Sequence, residues 1–161
     1  MTLKELLTAQ VCTLYVLKKE MGEQMDFGEA IKTCFQKYFD FSGRASRHEF
    51  WWFTLFTNLA SILISIVELT IGMPVAVFSG IFLLAIIMPS LAVSWRRLSD
   101  FGVNGMWNLP IYALFFIGLL MLYSAPSTAI LILLIGLIWG VTLYVQPGDV
   151  DRNKYGPSPL R

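Results

Sequence analysis

Between residues 50 and 95 the chain carries one carboxylate or basic side chain, Glu68, and between residues 106 and 146 it carries none. Apolar runs of this length constrain the fold more than any other feature. A helix crosses a hydrocarbon core of roughly 30 Å with about 20 apolar residues, and it satisfies its own backbone hydrogen bonds while doing so. Four segments qualify, at about residues 50–71, 73–95, 106–123 and 126–145. The breaks inside each pair are short: Gly72, Met73 and Pro74 turn one hairpin, and Ser124, Ala125 and Pro126 turn the other. The expected fold is all-α and integral to a membrane, with four transmembrane helices arranged as two hairpins in a single domain over residues 26–161.

Composition agrees with that reading. Only 14% of the 161 residues are charged, against about 25% in an ordinary soluble domain. A formal net charge of +1 argues against a nucleic-acid binder, which presents a basic face. Cys12 and Cys34 are too few and too isolated for a disulfide framework or a metal site, and no cofactor motif is present. Positive charge resists translocation. Lys32, Lys37, Arg44 and Arg47 precede the first span, Arg96 and Arg97 separate the second from the third, and Arg152, Lys154 and Arg161 follow the fourth. Neither hairpin tip has a Lys or Arg, so both termini are expected in the cytoplasm. There thiols stay reduced.

The segment before the first span reads as an amphipathic helix. Phe27, Ala30, Ile31, Cys34, Phe35, Tyr38 and Phe39 recur at helical spacing, with Glu29, Lys32, Thr33, Gln36 and Lys37 opposite. Asp26 and Glu29 have the spacing of a capping box. Aromatics on one face and lysines on the other suit the membrane interface; packing on a soluble partner or another chain is the alternative. Residues 1–25 are expected to be an extension of weak order, in which Leu3, Leu7, Val11 and Leu14 share a rough face and Met21 and Met25 are alternative starts. Its apolar run, broken by Thr8, Gln10, Cys12 and Thr13, lacks a cleavage site before Lys18, so the first span is expected to act as an uncleaved anchor.

Inside the spans, polar and small residues mark expected helix contacts. Asn58, Ser61, Ser65 and Glu68 form one stripe on the first span, and Gly136 and Gly140 form a GxxxG pair on the fourth. Glu68 falls near the outer interface, where a carboxylate in reach of water is expected; a proton or cation pathway is the sharper alternative. Pro89 is expected to kink the second span.

Three polar segments are brought to one side: residues 43–52 (GRASRHEFWW), 96–107 (RRLSDFGVNGMW) and 153–159 (NKYGPSP). In this order, around four apolar spans, they resemble the domain of unknown function 805 family of small bacterial inner-membrane proteins, over roughly residues 35–159. The resemblance implies a four-helix fold and a bacterial inner (plasma) membrane address, and the family carries no established activity. The family more often has His where Ser99 stands, and Phe101 replaces a smaller residue, so no histidine acid or base is expected in that loop.

Arg44 and Arg47, three apart, are expected on one helix face, and Arg96 or Arg97 can reach Asp100. A guanidinium fork suits carboxylates and phosphates alike. Two readings follow. In one, the arginines are a topological collar paired with Asp100 or Glu49, Gly102 and Gly105 are turn residues, and Trp51, Trp52 and Trp107 are interface anchors. In the other, Arg44, Arg47, Arg96, Arg97, Asp100, Asn104 and Asn153 hold a ligand such as an anionic lipid headgroup. His48, the single histidine, has no nucleophile elbow near it. The leading expectation is a non-enzymatic protein binding membrane lipids or a membrane-protein partner, itself included as a homo-oligomer. A small oligomeric transporter or channel, and a membrane enzyme acting on a lipid or phosphate group, are the alternatives.

Overall fold

The computed structural model describes residues 25–72 and 77–159; the extension before residue 25 lies outside them. Among the described residues there are five α-helices: α1 Phe27–Gln36, α2 Arg47–Thr70, α3 Val77–Asp100, α4 Asn108–Met121 and α5 Pro126–Tyr144, with a 3-10 turn at Gly105–Trp107 before α4. Three of them, α2, α3 and α5, are long and apolar enough to cross a membrane. At 24 residues each, α2 and α3 extend about 36 Å.

The third expected span is shorter than foreseen. Its helix α4 has 14 residues, or about 21 Å. Pro110 sits in the first turn, where a missing N–H costs little. Ahead of it the chain is held in the 3-10 turn by the Asn104 side chain, which accepts from Met106 N at 3.1 Å. Two other ends shift outward. Helix α2 starts at Arg47 because Ser46 Oγ accepts from Glu49 N at 3.1 Å, an N-cap bond. Helix α3 continues to Asp100, so Arg96 and Arg97 are helical rather than in a loop. It stops just before Gly102, whose φ of +78° is a left-handed stop that glycine adopts without strain. The helix runs unbroken past Pro89.

Helix α1 packs on the first turns of α2. Ala30 and Cys34 are buried, Phe27 meets Trp52 edge-on at 5.6 Å, and Phe35 meets Phe53 at 5.7 Å and Phe56 at 6.2 Å. Asp26 occupies the N-cap position but makes no side-chain cap bond, so the capping box does not form. Helices α4 and α5 run antiparallel in close contact. A Cβ on Gly140 would face Ile111, one on Gly136 would face Leu114 and Phe115, and Gly118 opposes Ala129 and Leu133. Small residues permit that approach in the absence of a hydrophobic drive.

Much of the remaining surface is apolar. Leu59, Ile62, Leu63, Ile66, Phe116, Leu119, Leu131, Ile135 and Ile138 are all exposed. Such continuous patches are untenable in water and ordinary against lipid tails. The polar stripe on α2 is not a helix-contact face throughout. Asn58 is exposed and returns its amide to Thr54 O at 2.7 Å, and Ser61 Oγ donates to Thr57 O at 2.8 Å, while Ser65 is half-buried. Glu68, expected in reach of water, is fully buried. It accepts from Phe78 N, from Ser79 N at 3.0 Å and from Ser79 Oγ at 2.9 Å. It thereby serves the unsatisfied N–H groups and positive dipole end at the start of α3.

Candidate functional site

At the arginine-rich end the three polar segments meet. Ala45 N donates to Arg96 O at 3.0 Å, and Asp149 N to Asp100 O at 2.8 Å, tying both flanking segments to the last turn of α3. Asn153 Nδ2 adds a bond to Ser99 O at 3.0 Å. Within this frame Arg44 Nε donates to Asp100 Oδ1 at 2.9 Å, and Arg97 Nη1 to Asp100 Oδ2 at 2.5 Å. One carboxylate therefore receives two guanidiniums, one from each side.

The remaining donors of those arginines go to backbone carbonyls. Arg44 bonds Asp151 O at 2.7 Å, Asp100 O at 3.1 Å and Asp149 O. Arg97 bonds Tyr144 O at 3.1 Å and Gln146 O. The tail after α5 is thus held through its main chain. Arg96 points elsewhere: its Nη1 meets Glu49 Oε1 at 2.6 Å, not Asp100, and its buried Nε and Nη2 have no hydrogen-bond partner among the described residues. All five charged groups are at most 5% exposed. Three guanidiniums against two carboxylates leave this buried cluster with a positive excess.

Cys34 belongs to the Arg96 branch, with its Sγ 3.8 Å from Glu49 Oε1. Burial first, then the Glu49 charge, pushes its thiol up to about 12, so it is unreactive at neutral pH. At the edge of the cluster Asp40 accepts from Ser42 N at 2.9 Å and from Ser42 Oγ. Those bonds, the hydroxyl's foremost, hold its carboxyl below the usual carboxylate value.

Of the residues expected at a ligand site, the fold brings Arg44, Arg96, Arg97, Asp100 and Asn153 together. Arg47 does not share a face with Arg44, because α2 begins only at Arg47 and Arg44 lies in the preceding loop; Arg47 is exposed. Asn104 is exposed too, occupied with Met106 N. Sequence reasoning passed over Gly148: a Cβ there would sit 1.8 Å from Asp100 Oδ2. Gly105, expected as a turn residue, is required for closeness instead, since its Cβ would lie 2.1 Å from the Trp95 ring. The Pro147-Gly148 pair signals a turn, but nothing in it signals a carboxylate pressed against the backbone.

Beside the cluster is a cavity of about 200 Å³ lined by Ser46, Arg47, His48, Asp100 and Gly148. Arg47 and His48 also line an adjoining groove of about 420 Å³ with Trp51, Trp52 and Leu55. Arg47 joins none of the ion pairs among the described residues.

Residues 38–157 match the family described as protein of unknown function DUF805. The chain is 33% identical over 124 residues to inner membrane protein YhaI of Escherichia coli strain K12, covering 77% of this chain and 89% of that protein. It is 25% identical over 128 residues to inner membrane protein YhaH of the same strain, covering 77% and 90% respectively. No solved structure matches significantly. The chain belongs to the DUF805 family, and with its three long apolar helices it is a multi-pass inner-membrane protein.

Proposed function

We propose that this DUF805 member crosses the membrane four times with both ends in the cytoplasm, and binds anionic phospholipid at its cytoplasmic face without transforming it. The four-crossing plan draws on the antiparallel register of α4 with α5: residues 122–125 complete the passage that α4 begins, and α5 returns. Orientation draws on charge, since neither hairpin tip has a Lys or Arg. Helix α1, with its aromatics on the first turns of α2 and Lys32 outward, lies at interface depth.

The observation that carries the binding reading is the position of Arg47. The buried Arg44 and Arg97 are committed to the chain's own acceptors and Arg96 is enclosed against Glu49, whereas Arg47 is exposed beside His48, on the wall of both the cavity and the aromatic groove. A guanidinium at this level, above Trp51 and Trp52, suits a lipid phosphate. The positive excess of the cluster behind it adds to the attraction. Two features weigh against chemistry at this place: Asp100 is clamped between two guanidiniums, and the Ser46 hydroxyl caps α2. Transport has little support from the α2 stripe, whose Asn58 and Ser61 are bonded to their own helix.

Native mass spectrometry of protein released in mild detergent tests this. An anionic phospholipid adduct is expected on the wild type and lost from Arg47→Ala/His48→Ala; the same adducts on both folded proteins would sink the proposal. Orientation is tested separately in a cysteine-free background. An impermeant maleimide added to spheroplasts should label Ser124→Cys and spare Ser158→Cys, and the reverse pattern would invert the topology.

A further inference from the structure

The membrane helices associate as two pairs, α2 with α3 and α4 with α5, while α3 makes the smaller contact with α5. Helices α2 and α5 approach each other at the arginine-rich end, where Phe50 and Tyr144 have ring centroids 4.3 Å apart. Below that contact they separate around a cleft of about 250 Å³. Its floor is buried, with Phe53, Val93 and Ile111 at 1%, 1% and 3% exposure, and its mouth carries Trp51, Leu137 and Val141 at 37%, 51% and 41%. The cleft is therefore a slot opening sideways, toward the lipid.

Three properties restrict what fills it. It is almost entirely apolar, and the two threonine hydroxyls on its wall are spoken for: Thr54 donates to Phe50 O at 2.8 Å and Thr57 to Thr54 O at 3.0 Å. It is smaller than the roughly 300 Å³ at which drug-sized ligand pockets begin, which favours a chain over a ring system. Its mouth is also joined to a charged rim, because Trp51 lines both the cleft and the groove that holds Arg47 and His48. An apolar slot whose entrance lies one helical turn from an exposed guanidinium has the charge and polarity of a lipid.

We infer that the α2–α5 cleft takes one acyl chain of an anionic glycerophospholipid of the inner leaflet, whose phosphate rests at Arg47 and His48 and whose chain enters past Trp51. This rests on the headgroup reading above and adds a specificity to it: affinity depends on chain length as well as charge. The Phe50–Tyr144 contact closes the direct route from the polar cavity, so the chain comes in laterally.

The experiment is a titration of the detergent-solubilised full chain, followed by native mass spectrometry, with dioleoyl and dihexanoyl phosphatidylglycerol. Thr57→Phe and, separately, Thr54→Leu add bulk to the cleft from different positions on α2. Each should weaken dioleoyl binding by about tenfold, the equivalent of expelling about two methylene groups from an apolar site, and leave dihexanoyl binding unchanged. If both folded variants bind dioleoyl lipid as the wild type does while Arg47→Ala/His48→Ala does not, the chain lies elsewhere and the cleft assignment falls alone. Equal loss of both lipids on filling the cleft also overturns it, since only the headgroup would then have been disturbed. If no variant changes either lipid, the headgroup reading falls with it.

Discussion

The two ends of the helix bundle each bury charge, by opposite means. At the far end a single carboxylate, Glu68, is satisfied by two backbone N–H groups and a hydroxyl at the start of α3. At the arginine-rich end, five charged side chains from two separated segments pair with one another, and Arg44 and Arg97 also bond tail carbonyls. The first device is local, joining two neighbouring helices and needing little of the rest of the chain. The second is distributed: removing one member strands the others in a place without water. Burying ion pairs is weak evidence of net stability, yet breaking one by removing a partner is costly. The comparison therefore predicts unequal consequences for single substitutions at the two ends.

The largest effect is expected from Asp100→Asn, which leaves Arg44 and Arg97 buried against a neutral amide. A loss of about 3–5 kcal/mol follows from an uncompensated buried charge, measured as reversible denaturation in mixed micelles. A cost below that of Glu68→Ala would break the distinction between the ends. Next comes the seal around the Arg96 branch. In a Cys12→Ala background Cys34 should alkylate about a thousandfold more slowly than an ordinary thiol at pH 8, because its thiol titrates at about 12. As an acid whose folded value is raised, it contributes stability below the ordinary value of 9.0 and loses it as pH climbs toward about 12. Rapid labelling at pH 8 would mean that this end opens to water.

A smaller effect belongs to Glu68→Ala, which removes a helix cap and its charge at a dipole end. About 0.5–2 kcal/mol is expected, with Glu68→Gln milder because an acceptor oxygen remains. Smallest is Arg47→Ala, within about 0.5 kcal/mol as an exposed substitution. Arg44→Ala, three residues earlier, should cost several times more. Thermal melting of this pair sharpens the comparison, since equal losses would deny that the helix boundary between them separates a buried lock from an exposed rim.

Several of these contrasts were hidden in the chain for definite reasons. Arg44 and Arg47 look equivalent until Ser46 is seen to cap α2 between them. Arg96 and Arg97 are neighbours with the same side chain, but successive helical positions point about 100° apart, so one reaches Glu49 and the other Asp100. Nothing local to Glu68 announces that the first turn of α3 will lie opposite it. Gly105 reads as a turn residue and Gly148 draws no attention in the sequence, whereas the Trp95 ring and Asp100, respectively, exclude any side chain there.

The sequence by itself determined where the apolar helices are, that the fold is all-α and membrane-bound, and that the three polar motifs share one end. Those follow from helix length against hydrocarbon thickness and from the cost of unpaired backbone in lipid, both of which are properties of contiguous residues. Only the tertiary structure decided which arginine meets which carboxylate, which one remains exposed, and that α2 and α5 part to leave an apolar slot. Each of these depends on relative helix rotation and register, which are set by side-chain packing between segments far apart in the chain.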